Sequence, residues 1–316
     1  MAHDKDILEK KLEDYNDVFA DIINGLLPLD EKILPDDLQD IRARNVYSSS
    51  GEIREQERDT VKLWTKGGII FCLLGLENQS SIDKAMPIRV AGYEGGDYRV
   101  QITRRDDEIK AAKKAEDFDE VKRLQNAKFY PVITIVLYYG KTRWRKHRTL
   151  FECLNIPKSF RPFVNDAKLN IIEVAWLTDE QAAKFTSDFR IVVDYFRQKR
   201  INNKYQPSKW EVEHVDSLLK LMRALTGDLS FENEQNKIVY DYEKGERMTM
   251  DNYFSRQIAK GEARGERKGK REGMREGMRE GRSEASRDIY HKLLEMGFTP
   301  ELASQATGVT LQPKNN

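Results

Sequence analysis

Residues 59–81, DTVKLWTKGGIIFCLLGLENQSS, decide the fold. From Asp59 to Thr65 the side chains alternate, Val61 and Leu63 to one face, Thr60, Lys62 and Trp64 to the other. That is the period of a strand with one face buried. Lys66-Gly67-Gly68 is a turn signal. Ile69 to Leu76 is a continuous apolar run of strand length, as expected of a central strand covered on both faces. Pairing backwards from the turn sets residue 66 against 69, and 59 against 76 or 77. Asp59 and Glu77 then face each other across adjacent strands, and Gln79 points to the same face as Glu77. Two carboxylates converging at one end of a sheet suit a hard divalent cation such as Mg²⁺. Such an ion polarises a phosphate and lowers the pKa of bound water. The same spacing also fits two solvated strand ends, so it does not decide the chemistry alone.

Working outward, residues 12–27, LEDYNDVFADIINGLL, read as a helix. Tyr15, Val18, Phe19, Ile22 and Leu26 follow the i, i+3, i+4, i+7 pattern, and Asp14, Asp17 and Asp21 share a neighbouring face. Pro28 to Ser50 is polar and turn-rich, an irregular connection. Downstream, Ile82 to Tyr93 reads as a helix with Met86-Pro87 near its start or at a break, and Arg104 to Leu124 as an exposed, charge-dense helix. Pro131 to Tyr139, PVITIVLYY, is a second buried strand, ending at Gly140. Asn170 to Leu177 is a third. Thr178-Asp179-Glu180 caps a helix running to about Arg200. The order is that of an α/β protein with a mixed sheet flanked by helices.

From about Gln206 the character changes to helix alone, with Glu211 to Leu225 amphipathic. Glycine then recurs at 261, 265, 269, 273, 277 and 281 in a segment of local net charge +4 over residues 260–282. Each glycine weakens a helix by about 1 kcal/mol. Three readings stand: a weak helix or linker, close helix packing in a homo-oligomer, or non-specific phosphate binding. Ile289 to Met296 and Pro300 to Thr307 read as two short helices around Gly297, with Thr299 as N-cap and Pro300 in the first helical position. They look like the start of a helix-turn-helix without its third, base-reading helix, and suit self-association at least as well. The expected segments are a sheet domain at 1–205, a helical extension at 206–258, the glycine repeat at 259–282 and a helical hairpin at 283–316.

Composition narrows the function. The 316 residues carry 54 Lys and Arg against 53 Asp and Glu, a net charge of +1. This excludes a globally basic nucleic-acid binder while allowing local basic segments. The longest apolar runs, Gly67 to Leu76 and Pro131 to Tyr139, fall far short of the roughly 18 residues of a membrane span. The charged start, MAHDKDILEKK, has no apolar signal core, so the expected location is cytoplasmic, with no membrane partner. Cys72 and Cys153 cannot build a disulfide framework or a four-thiolate zinc site. There is no GxxxxGK[ST] and no GxSxG. His3, His147, His214 and His291 have neither HExxH nor zinc-finger spacing.

Several stretches together resemble a known family. RDTVKLW (58–64) followed by GLENQSSIDKAMPIRVAGY (75–93) resembles the PD-(D/E)xK nucleases, and more closely the Rpn group of recombination-promoting nucleases, often labelled transposases. YPVITIVLYYGKTRW (130–144), HDKDILEKKLEDYNDVFADII (3–23) and VNDAKLNIIEVAWLTDEQ (164–181) extend the likeness over roughly residues 4–225. The resemblance implies a metal-dependent DNA endonuclease using Mg²⁺ or Mn²⁺, with DNA as partner and a role in recombination. By position, Asp59 is the central metal-binding acid, Glu77 the acid of the ExK/ExQ motif, and Gln79 stands where many such enzymes have Lys. Asp17 matches the first-motif acid, although Asp14 or Asp21 could serve instead. Gln can orient a water but brings no charge. Arg89 and the cluster Lys141, Arg143 and Arg145 are candidate phosphate contacts, and Trp144 a candidate stacking platform for an unpaired base. A non-catalytic DNA-binding or regulatory protein keeping the fold is the alternative.

Overall fold

The computed structural model describes residues 11–41, 44–49, 52–231 and 248–309. The chain enters through a 3-10 turn at Leu12–Asp14, and α1 (Asn16–Leu26) follows, burying Val18, Phe19, Ile22 and Ile23. The helix begins after Tyr15, whose backbone is extended, φ −75° and ψ 129°. The acids at 13 and 14 are therefore off the regular helical face that the 12–27 pattern implied.

The stretch read as an irregular connection holds strands. β1 (Leu38–Asp40) buries only Leu38, too short for alternation to show. β2 (Arg44–Ser49) and β3 (Glu52–Glu57) form a two-stranded antiparallel sheet of their own. Next comes the predicted hairpin, β4 (Thr60–Lys66) and β5 (Ile69–Gln79). Its register runs from Lys66↔Ile69 to Thr60↔Leu76 with an irregularity at Trp64/Thr65, and Gly67 and Gly68 take the positive φ its turn requires.

From β5 the chain crosses over through α2 (Met86–Lys114) and α3 (Phe118–Asn126). The two helices expected at 82–93 and 104–124 are divided elsewhere. One helix of 29 residues runs through Gly95-Gly96, and the break falls at Glu116, with φ 58°. The Asp117 carboxylate then accepts the Glu120 N–H and caps α3. β6 (Val132–Tyr138) lies parallel to β5, and β7 (Asn170–Glu173) parallel to β6. β1, β4, β5, β6 and β7 make one mixed sheet in that order, which puts β5 at its centre. Met86, Val90 and Tyr93 of α2 pack with Val136, Tyr138, Trp144 and Leu169 to cover it.

β7 is shorter than expected, because Val174–Trp176 turn into a 3-10 segment that buries Val174 and Ala175. Thr178 caps as predicted, in a capping box with Gln181. The helix that follows is nevertheless broken into α4 (Asp179–Ala182) and α5 (Phe189–Asn202). Asp21 is the cause: its carboxylate accepts the backbone N–H and hydroxyl of both Thr186 and Ser187 and holds that segment against α1. α6 (Val215–Thr226) closes at Gly227 in the left-handed region.

The chain divides into two compact units, Met1–Asp251 and Asn252–Asn316. The second consists of nearly all of α7 (Met250–Glu295) and α8 (Pro300–Thr307). α7 runs unbroken through the glycine repeat, so the linker reading gives way to helix, and the expected helix at 289–296 is its last turns. Gly297 turns the chain with φ 90° and Thr299 caps α8. Among the described residues no helix is long and apolar enough to cross a membrane.

Candidate carboxylate site at the end of the sheet

Glu77 lies near the carboxyl end of the central strand and is 3% exposed. Asp59 immediately precedes β4, and the pairing Thr60↔Leu76 sets it opposite Glu77. The Asn78 N–H donates to Asp59 Oδ2 at 2.7 Å and fixes that carboxylate beside β5. Glu77 Oε1 accepts from Gln79 Nε2 (3.2 Å) and from Arg89 Nη2 (2.7 Å). Arg89, in the first turns of α2, also donates to Asp83 (3.0 Å) and to the Tyr93 hydroxyl (2.8 Å).

A third acid completes the group. Glu13, on the 3-10 turn before α1, is fully buried, and its Oε1 accepts from Asn78 Nδ2 at 3.0 Å. Asn78 is held from its other side by the Tyr139 hydroxyl at 2.9 Å. Glu13 Oε2 is buried with no hydrogen-bond partner among the described residues. Lys11 Nζ donates to the Asp59 carbonyl at 3.1 Å. Burial pushes the Glu13 carboxyl up to about 7, against the hydrogen bond from Asn78 and with the charge of Asp59 adding to the rise. Burial likewise pushes Glu77 up to about 7, Asp59 again raising and Arg89 lowering. Glu13 and Glu77 are thus two buried acids near one partly exposed acid, Asp59, which pairs with Lys11 Nζ at 3.5 Å.

Beneath the site Arg58 is almost completely buried, donating to Thr134 Oγ1 at 3.0 Å and pairing with Asp97. It anchors the backbone next to Asp59. Gly75 of β5 makes room for it, since a Cβ there would lie 2.7 Å from Arg58 Nη1.

Asp59, Glu77, Gln79 and Arg89 are therefore brought together. Asp17 is not with them: its Oδ2 lies 3.0 Å from His214 Nε2. Asp14 and Asp21, the named substitutes, are engaged with Thr60 and with Thr186 and Ser187 respectively. Glu13 is hidden from sequence because its turn is 3-10, offset from the helical face that the spacing of Asp14, Asp17 and Asp21 implies. Its one signal was an acid directly beside the apolar Leu12.

The basic loop after β6 also differs from expectation. Trp144 is fully buried, edge-on to Tyr138 at 5.1 Å, and so is core rather than a platform for a base. Its backbone N–H donates to Glu173. Arg143 pairs with Glu173 at 2.8 Å and lies 4.1 Å from the Trp176 ring centroid, while Lys141 donates to Asn203 at 2.9 Å. Lys141, Arg143 and Arg145 remain exposed. The cysteines are free: Cys72 is buried and Cys153 half-buried.

A mixed sheet with a central hairpin, flanked by helices and carrying the buried acids Glu13 and Glu77 at one end, defines an α/β protein. The chain belongs to the family described as "Putative transposase, YhgA-like", whose model matches residues 20–226. Asp59, Glu77, Gln79 and Arg89 fall inside the matched region, and Glu13 precedes it. No curated protein and no solved structure matches the chain.

Proposed function

We propose that the chain is a divalent-metal-dependent DNA endonuclease that hydrolyses phosphodiester bonds and serves recombination. Family membership supports a DNA-processing role. The observation that carries the finer reading is the buried pair Glu13 and Glu77 beside the partly exposed Asp59, with Glu13 Oε2 buried and unpartnered. An all-oxygen donor set fits a hard cation. Glu13, Asp59 and Glu77 would hold Mg²⁺ or Mn²⁺, which when bound polarises a phosphate and acidifies a water.

The remaining work falls to the chain's own side chains. Asn78 bridges Asp59, Glu13 and Tyr139, and so sets the spacing of two of the acids. Gln79 orients water by hydrogen bonding but contributes no charge. Arg89, on the same Glu77 oxygen as Gln79, supplies the fixed cation that the ExQ sequence lacks and stabilises negative charge developing on phosphate. Exposed Lys141, Arg143 and Arg145 offer phosphate contacts that position the duplex without reading its sequence.

A second reading, a DNA-binding protein without catalysis, is favoured by one pair of facts: Gln stands at position 79, and Arg89 already neutralises Glu77. Cleavage of supercoiled plasmid with Mg²⁺, Mn²⁺ or EDTA separates the two. The endonuclease reading expects metal-dependent nicking that Asp59→Ala and Glu77→Ala each abolish. Gel-shift retention without cleavage by folded wild type would favour the second reading.

A further inference from the structure

We propose a second metal site, distinct from the carboxylate trio, in which Asp17, Glu213 and His214 bind a transition-metal ion of the Zn²⁺ class. Each of the three offers a ligand atom, and these atoms all lie within 4.8 Å of one another. Asp17 Oδ2 and His214 Nε2 are 3.0 Å apart. Two donors bound about 2.1 Å from one ion at 90° to 109° stand about 3.0–3.4 Å apart, so this pair already has the separation of neighbouring ligands.

The ligands are held from outside the cluster. The His214 ring stacks on Tyr15 with centroids 3.7 Å apart and planes 21° apart, which fixes its orientation. The buried Asp188 carboxylate accepts the backbone N–H of Glu213 at 3.0 Å and of His214 at 2.6 Å, fixing the main chain of both ligands at once. Such supporting bonds commonly set the direction of metal-binding side chains. Asp17 and Glu213 lie on the wall of a cavity of about 650 Å³ that also receives Lys32, Lys184 and Arg190. The cavity gives an ion a way in and leaves room for water to complete its coordination.

The donor set selects the ion. One imidazole nitrogen with two carboxylates suits Zn²⁺ and its neighbours, whereas Mg²⁺ prefers oxygen alone. The sequence offered none of the usual zinc spacings because the ligands sit on distant parts of the chain, Asp17 on α1 and the other two just before α6. α6 packs against the turn that carries Glu13. A bound ion would therefore clamp that segment to α1 four residues from a carboxylate of the sheet site, supporting its position without joining its chemistry.

The test uses the full chain carrying Asp59→Ala and Glu77→Ala, so that the sheet site cannot supply the signal. It does not depend on nuclease activity. Co²⁺ is titrated while its visible absorption is followed. The proposal expects one equivalent of Co²⁺ with a nitrogen-oxygen spectrum, displaced by Zn²⁺ and not by millimolar Mg²⁺. Adding Asp17→Asn or His214→Gln should weaken binding at least tenfold, with unchanged far-UV circular dichroism showing that the fold is intact. Absence of Co²⁺ binding overturns the proposal, as does binding that survives both substitutions or yields to Mg²⁺; Asp17 and His214 would then form a plain hydrogen-bonded pair.

Discussion

Glu13 and Asp17 lie four residues apart yet belong to opposite environments. Glu13 is sealed in at the end of the sheet, one oxygen unpartnered, its carboxyl pushed up to about 7. Asp17 is half exposed and faces a histidine. Burial makes the difference. A carboxylate in water needs no partner, whereas the buried Glu13, one oxygen unpartnered, gains as an anion from a cation beside it. The pocket that is unfavourable when empty is thus the one suited to chemistry, and the exposed acid is suited to a supporting role.

The sharpest way to break this contrast is to alter the fixed cation of the sheet site. Arg89→Met removes the guanidinium from Glu77 and should lower cleavage by about 100- to 1,000-fold, as loss of one donor to developing negative charge does elsewhere. Arg89→Lys should retain more, and Gln79→Lys placed in the Arg89→Met chain should restore part of the loss. Steady-state rates on plasmid decide it. If Arg89→Met cuts as well as wild type, the guanidinium only shapes the pocket.

The pH dependence sharpens the same contrast. The folded Glu13 carboxyl, at about 7, sits above its ordinary 4.5. Between those values the folded state holds a proton that the unfolded chain has lost. Stability from this group is therefore full below pH 4.5 and falls as pH rises through 7. Glu13→Gln, neutral and of similar shape, should stabilise the metal-free protein at pH 8, by on the order of 3 kcal/mol at most, and change little at pH 4.5. Thermal unfolding in EDTA at the two pH values measures both, and Mg²⁺ should flatten the wild-type slope.

What could be read from the chain follows from the range of the forces involved. The hairpin from Asp59 to Gln79 was legible because alternation, a glycine turn and an apolar run all lie within 21 residues, and register then placed Asp59 against Glu77. Glu13 was not, because its role depends on Asn78, 65 residues away. The break before α5 depends on Asp21 reaching Thr186, 165 residues on. Trp144 misled because a tryptophan among Lys141, Arg143 and Arg145 looks the same in sequence whether it faces solvent or, as here, the core. Local patterns report local structure; a polar side chain's partner is a property of the packed molecule.

Two glycines give the gentlest test of that rule. Gly75 sits in the central strand, where an added Cβ would meet the Arg58 side chain at 2.7 Å, 3.1 Å at its other near atoms. Arg58 is enclosed and anchored to Thr134 and Asp97, so it has little freedom to withdraw. Gly75→Ala should cost about 1–3 kcal/mol, the usual range for overpacking, and weaken cleavage by shifting Asp59. Gly273, within α7, has nothing within 4 Å of an added Cβ. There alanine adds no clash and removes the backbone freedom that glycine brings to a helix, so Gly273→Ala should strengthen α7 by up to about 1 kcal/mol. Helicity by circular dichroism and the unfolding midpoint read both signs in parallel preparations. A loss at Gly273 would mean that this glycine is covered by something the single chain does not contain, such as a second copy packed close enough to exclude a methyl group.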